Sequence, residues 1–185
     1  MQARRLHIAV WVIGALAVAL AGGCAQPGEL RITGAEMDLP KGEGSPGFFD
    51  RISSQKTVSE NDAMRGMLFL LDGEDKAANF KQRVQTLTER GIVGASWHHQ
   101  ADRPVTRGKL AFMVYQACKV RGGVILTVFG PTRYYCLREL QYQGMMGKGA
   151  MWSKVTGMEY QGAMLRADEY LENRELADYQ SANTE

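Results

Sequence analysis

The sequence predicts a mainly α-helical protein: a compact domain of about three helix-loop-helix repeats carried behind a flexible N-terminal tether. Three observations predict it. From Thr57 onward, apolar residues recur at i, i+3, i+4 and i+7, the period of an amphipathic helix. A hydroxyl-bearing residue that suits a helix N-cap stands at Ser59, Thr106 and Thr156, at intervals of 47 and then 50 residues. Glycines follow the apolar period at matching places, where a left-handed residue ends a helix at little cost.

The first 23 residues stand apart from this pattern. Arg4 and Arg5 form a basic start, Ile8 to Ala21 is an uninterrupted apolar run of 14 residues, and Gly22-Gly23-Cys24 follows at once. A run of this length falls short of the ~20 apolar residues a bilayer-spanning helix needs, and the layout is that of an export signal. The segment Leu20-Ala21-Gly22-Gly23-Cys24 resembles a bacterial lipoprotein lipobox, with Ala21 where a large aliphatic residue is usual. The resemblance implies cleavage before Cys24, lipidation of Cys24 and a stable membrane anchor, since two or more acyl chains hold firmly where one does not. Ala25 and Gln26 place no Asp behind the cysteine, which implies an outer-membrane destination facing the periplasm. A plain secretory leader cut near Ala21, with Cys24 an ordinary thiol, is the other reading of these residues.

From Gln26 to about Gln55 the chain is rich in Gly, Pro and Ser with no sustained apolar period. It is expected to be a flexible spacer. The expected organisation is therefore a signal peptide over 1–23, a tether over 24–56, the repeat domain over 57–172, and a helix end and tail over 173–185.

Within the domain the repeats align residue by residue. Leu87-Thr-Glu-Arg-Gly91-Ile-Val-Gly94 matches Leu140-Gln-Tyr-Gln-Gly144-Met-Met-Gly147: an amphipathic helix ends at a Gly and two apolar residues follow. Val105-Thr106 opens one helix and Val155-Thr156 another, and Thr156 with Glu159 makes a full capping box. Val58-Ser59 opens a third copy, which lacks most of its front half. Repeats of this length bury together the faces that none can bury alone. Between the second and third copies, the β-branched run at 124–129 is expected to be a short buried strand or an extended linker, and Pro131 suits the first turn of the next helix.

Gly91-Ile-Val-Gly94 followed by Pro104-Val-Thr-Arg-Gly-Lys-Leu-Ala resembles an S-layer homology (SLH) motif, a helix ending at Gly, a loop, and a Thr-Arg-Ala-Glu segment opening a second helix. The similarity covers about Thr57 to Leu171. The middle copy keeps Thr106-Arg107 with Lys109 at the Glu position; the third has Thr156-Gly157-Met158-Glu159 and the first Ser59-Glu60-Asn61-Asp62. The resemblance implies a non-catalytic module that holds a protein to cell-wall polysaccharide or peptidoglycan. It gives Thr106 and Arg107 the ligand-binding role, with the guanidinium contacting an acidic sugar substituent in a groove between motifs. A guanidinium at a helix N-terminus suits that task, adding a bidentate fork to N–H groups that already favour anions. Trp97, in the preceding loop, offers an aromatic face for a sugar ring, or packs half-buried under the loop.

Other chemistry is thinly represented. Removing 1–23 takes away Arg4 and Arg5 and leaves 20 basic and 20 acidic residues, without the basic stripe of a nucleic-acid binder. Cys118 and Cys136 are a candidate disulfide in an exported protein, worth about 3 kcal/mol if unstrained, or else two buried thiols. No zinc-ligand spacing is present. His98, His99 and Asp102 suggest a metal or acid-base site, but adjacent histidines point different ways on most backbones, so a solvated loop is expected. The charges from Arg166 to Glu175 read as the solvated face of a C-terminal helix. With no nucleophile motif and no phosphate-cradling Gly loop, no cofactor and no catalysis are expected. The expected function is that of a non-enzymatic envelope lipoprotein with a membrane anchor at one end and an SLH-like module at the other, contacting cell-wall polymer or an envelope protein; the alternative is an accessory subunit of an envelope assembly that binds no glycan.

Overall fold

The structure, a computed structural model, describes residues 30–33 and 44–183; Cys24, the expected signal segment and about half of the expected tether lie outside them. The described chain is mainly helical. In order it forms β1 (Arg31–Thr33), α1 (Ser45–Ser53), α2 (Glu60–Asp72), α3 (Phe80–Glu89), β2 (His98–Gln100), α4 (Arg107–Ala117), α5 (Val124–Phe129), α6 (Arg133–Tyr142) and α7 (Gly157–Ala182).

The repeat seen in the sequence is a repeat of structure. Ser59, Thr106 and Thr156 each sit in extended backbone and accept a hydrogen bond from the amide three residues on, opening α2, α4 and α7. The capping box of Thr156 and Glu159 is complete. Gly91 and Gly144 take φ of +71° and +75°. Behind them Ile92 and Val93 donate to the Leu87 carbonyl, as Met145 and Met146 donate to that of Leu140. Both turns therefore point two apolar side chains back into the core.

The three units close on one another in a ring. The valines preceding the caps form a cycle of backbone hydrogen bonds, with the Val58 amide donating to the Val155 carbonyl (3.0 Å), Val155 to Val105 (3.1 Å) and Val105 to Val58 (2.8 Å). All three side chains are buried. Around this hub each front helix packs on the back helix of the preceding unit: α3 on α2, α6 on α4, and α1 on α7. Tyr160 of α7, fully buried, donates from its hydroxyl to the Ala63 carbonyl of α2.

Three expectations are corrected here. Residues 44–56 are not spacer: α1 is the front half of the first repeat, with Pro46 in its first turn and with Phe48 and Ile52 fully buried. Its short length and the glycines before it hid it. Leu30 to Thr33 also docks, because β1 pairs in parallel with β2, Arg31 opposite His98. The run at 124–129 is neither strand nor linker but α5, which buries Leu126 and leaves Val124, Ile125, Val128 and Phe129 in solvent. At the other end, α7 runs unbroken to Ala182, so residues 173–182 are the end of the domain's last helix.

Candidate functional site

Thr106 and Arg107 lie at the seam between the second and third repeats. The fold makes a groove there of about 500 Å³, lined by Arg107, Gly147, Thr156, Met158, Glu159 and Arg166 among others. Two guanidiniums face it, but neither is idle. Arg107 is buried, donates through Nη1 to the Gly147 carbonyl (2.9 Å) and pairs through Nη2 with Glu159 Oε1. Arg166, more exposed, donates to the Gly162 carbonyl at 3.1 Å. Gly149 exists to admit the arginine, since a Cβ there would lie 2.7 Å from Arg107 Nε.

The first turn of α4 is also committed. The Arg107 amide donates to Ser153 O, that of Gly108 to Met151 O, each at 2.9 Å, and that of Lys109 to Thr106 Oγ1 at 3.4 Å. The N–H groups expected to favour an anion are consumed by the next repeat and by the cap. The same lock is built at the first seam. There the Glu60 amide donates to Arg103 O and the Asn61 amide to Ala101 O. Thr106 is thus a cap and a strand-like partner of Lys154, and its hydroxyl is occupied.

The side-chain pairs follow one rule. The first helical residue of one repeat meets the third helical residue of the next: Glu60 with Lys109 Nζ (2.6 Å), and Arg107 with Glu159. At the third seam the corresponding position is Gly157, and α1 fills the space; a Cβ on Gly157 would meet the Ile52 carbonyl at 1.8 Å. Asp62, at the third helical position of α2, pairs instead with Arg51 of α1 at 3.3 Å. Glu60 is almost wholly buried and also accepts from the Gln100 amide, while Lys109 reaches the His98 carbonyl. Sequence reasoning missed these pairs, although the signal is there: aligned on the caps, the third positions Asp62, Lys109 and Glu159 alternate in sign, and the first positions Glu60 and Arg107 are opposite in sign to the third position of the next repeat.

Trp97 is half-buried, packed edge-on to Phe112 at 5.1 Å, with the Lys109 ammonium and the Arg133 guanidinium each within 5.6 Å of its ring centre. Its surface is used by the protein's own cations. His98 and His99 do not form a solvated loop: they belong to β2. His98 bonds to Thr33 Oγ1 (2.7 Å), and His99 is fully buried, its Nε2 against the Gly94 carbonyl at 3.2 Å. Burial lowers the His99 pKa below its ordinary value. Asp102 is exposed. Among the described residues no three His, Cys, Asp or Glu side chains gather as metal ligands would.

Cys118 and Cys136 are separate thiols, which corrects the expected disulfide. Each is fully buried in the apolar interior, Cys118 donating toward the Ala167 carbonyl, and burial pushes both thiols up to about 12. They are core residues of low reactivity.

A second concavity, of about 590 Å³, lies between α1, α2 and α7 and is mostly apolar, with Phe49, Phe69, Met158 and Leu165 in its walls. Met158 and Leu165 are largely exposed. No family model matches this chain, and no curated protein matches it.

Proposed function

We propose that the protein is a non-enzymatic, lipid-anchored component of the cell envelope whose three-repeat domain contacts another envelope protein. The anchor rests on the lipobox-like Leu20-Ala21-Gly22-Gly23-Cys24. The observation that carries the choice of partner is the state of Arg107. Its charge is met by Glu159 and the Gly147 carbonyl, and the amides around it are already bonded. An acidic sugar would have to displace a carboxylate of the protein itself. The concavity between α1, α2 and α7 instead offers apolar side chains of the size and kind that anchor protein contacts.

A second reading keeps the SLH-like role in polymer binding. It is favoured by the groove at the second seam, where Arg107 and Arg166 face one open volume. One experiment separates the two. A photocrosslinking residue at Leu165 in living cells is expected to trap a discrete protein that the same residue at Tyr142 does not. Sedimentation with purified cell-wall material is expected to leave the chain in solution. Retention by the wall that Arg107→Ala abolishes, with no Leu165 adduct, would establish the polymer reading instead. Radiolabelled palmitate incorporated by the natural chain and lost in Cys24→Ser tests the anchor.

A further inference from the structure

We propose that α5 is a second membrane contact, a short apolar wedge that lies in the lipid interface while Cys24 holds the chain to the same bilayer; this rests on the anchored reading above. The helix is built for exposure rather than for the core. Val124, Ile125, Val128 and Phe129 are 55–80 % exposed, and only Leu126 is buried. The flanks are basic. From Lys119 to Arg138 the sequence has four basic residues and no acidic one, and Lys119, Arg121 and Arg133 are exposed on either side of the helix. The next carboxylate along the sequence, Glu139, is half-buried and turned onto the Gly123 amide and the Gln143 side chain. An apolar tip ringed by cations is complementary to an anionic lipid surface.

The path of the chain places this tip toward the anchor. Only five residues separate Cys24 from Leu30, where the chain meets the domain, so the domain hangs within about 20 Å of the lipidated residue. A chain of contacts links the entry point to α5. β1 pairs with His98; the neighbouring Trp97 carries the Arg133 guanidinium at 5.5 Å; and in the same first turn of α6, Tyr135 packs against Phe129 at 6.2 Å. With its spacer reduced to a few residues, the domain has little reach away from the bilayer, and the end it turns toward the lipid carries the exposed apolar helix.

The test uses the full chain, produced in a host that processes lipoproteins and reconstituted into vesicles of phosphatidylethanolamine and phosphatidylglycerol. An environment-sensitive fluorophore is placed at Phe129→Cys or, as the control, at Tyr142→Cys; the buried Cys118 and Cys136 are poor targets for labelling. The label at 129 is expected to be quenched by brominated acyl chains at a depth of about 5–10 Å, and the label at 142 to be unaffected. Arg121→Glu with Arg133→Glu, or replacement of phosphatidylglycerol by phosphatidylcholine, is expected to reduce the quenching at 129. Absence of quenching at 129 in vesicles that carry the protein would overturn the proposal, as would a protein crosslink from 129 in its place. Flotation of the vesicles reports the anchor separately: loss of flotation in Cys24→Ser supports it, and unchanged flotation counts against it whatever α5 does.

Discussion

Glu60 and Lys109 are opposite charges placed almost out of water, at the first seam of the ring. Each alone would be costly there, and together with the Gln100 amide and the His98 carbonyl they are satisfied. Lys109→Met strands the Glu60 carboxylate and is expected to cost about 3–5 kcal/mol, measured by urea unfolding; Glu60→Gln in the same chain should recover part of the loss. His99 works through burial. Its folded pKa is lowered below 6.5, so as pH falls the unfolded chain takes up this proton first. The contribution to stability is therefore complete above pH 6.5 and is lost as pH falls through the folded-state value. Unfolding midpoints followed downward from pH 7 should fall more steeply in the natural chain than in His99→Gln. In a Cys24→Ser chain without reductant, Cys118 and Cys136 should be silent to a thiol reagent at pH 8 when folded and give two thiols when denatured. A denatured chain yielding none would prove a disulfide.

At the scale of elements, the caps and glycine turns were legible because each is a local rule. A hydroxyl at the N-cap and a glycine after the last turn work whatever packs nearby, so α2, α3, α4, α6 and α7 could be placed before any tertiary contact was known. α1 and α5 were not legible, for opposite reasons. α1 has two core residues in nine and is held by its docking on α7, not by its own pattern. α5 carries a β-rich composition yet turns as a helix with its apolar side chains outside, where neither period nor burial signals it. The pairing of β1 with β2 is of the same kind, a contact across 67 residues between segments of three. The candidate site was half legible: the sequence named the seam and Arg107, but not that the repeat itself supplies the partner, Glu159. Docking of α1 gives a direct prediction. Gly157→Ala puts a methyl where the Ile52 carbonyl lies, and is expected to displace α1 at a cost of about 1–3 kcal/mol. Amide exchange at Phe48 and Ile52 should then quicken more than exchange in α4.

On the scale of the whole molecule, three similar units become a closed body because each completes its neighbour. The valine cycle ties the centre, the loop carbonyls of one repeat take the first amides of the preceding repeat's capped helix, and α1 closes the last seam where Gly157 leaves room. Closure also bears on the function proposed above. The residues that the SLH resemblance marks for a ligand are those that join repeats here, so in that proposal contact with a partner or a lipid surface is assigned to surfaces outside the ring: the apolar concavity beside α7 and the exposed face of α5. In this closed body Arg107 is a stitch between the second and third repeats. A double-mutant cycle on Arg107→Ala and Glu159→Ala, read by chemical denaturation, tests it most directly. With Arg107 buried and Glu159 partly exposed, a favourable coupling of about 1 kcal/mol is expected. A coupling indistinguishable from zero, with Arg107→Ala as stable as the natural chain, would contradict the stitch and return the arginine to a ligand.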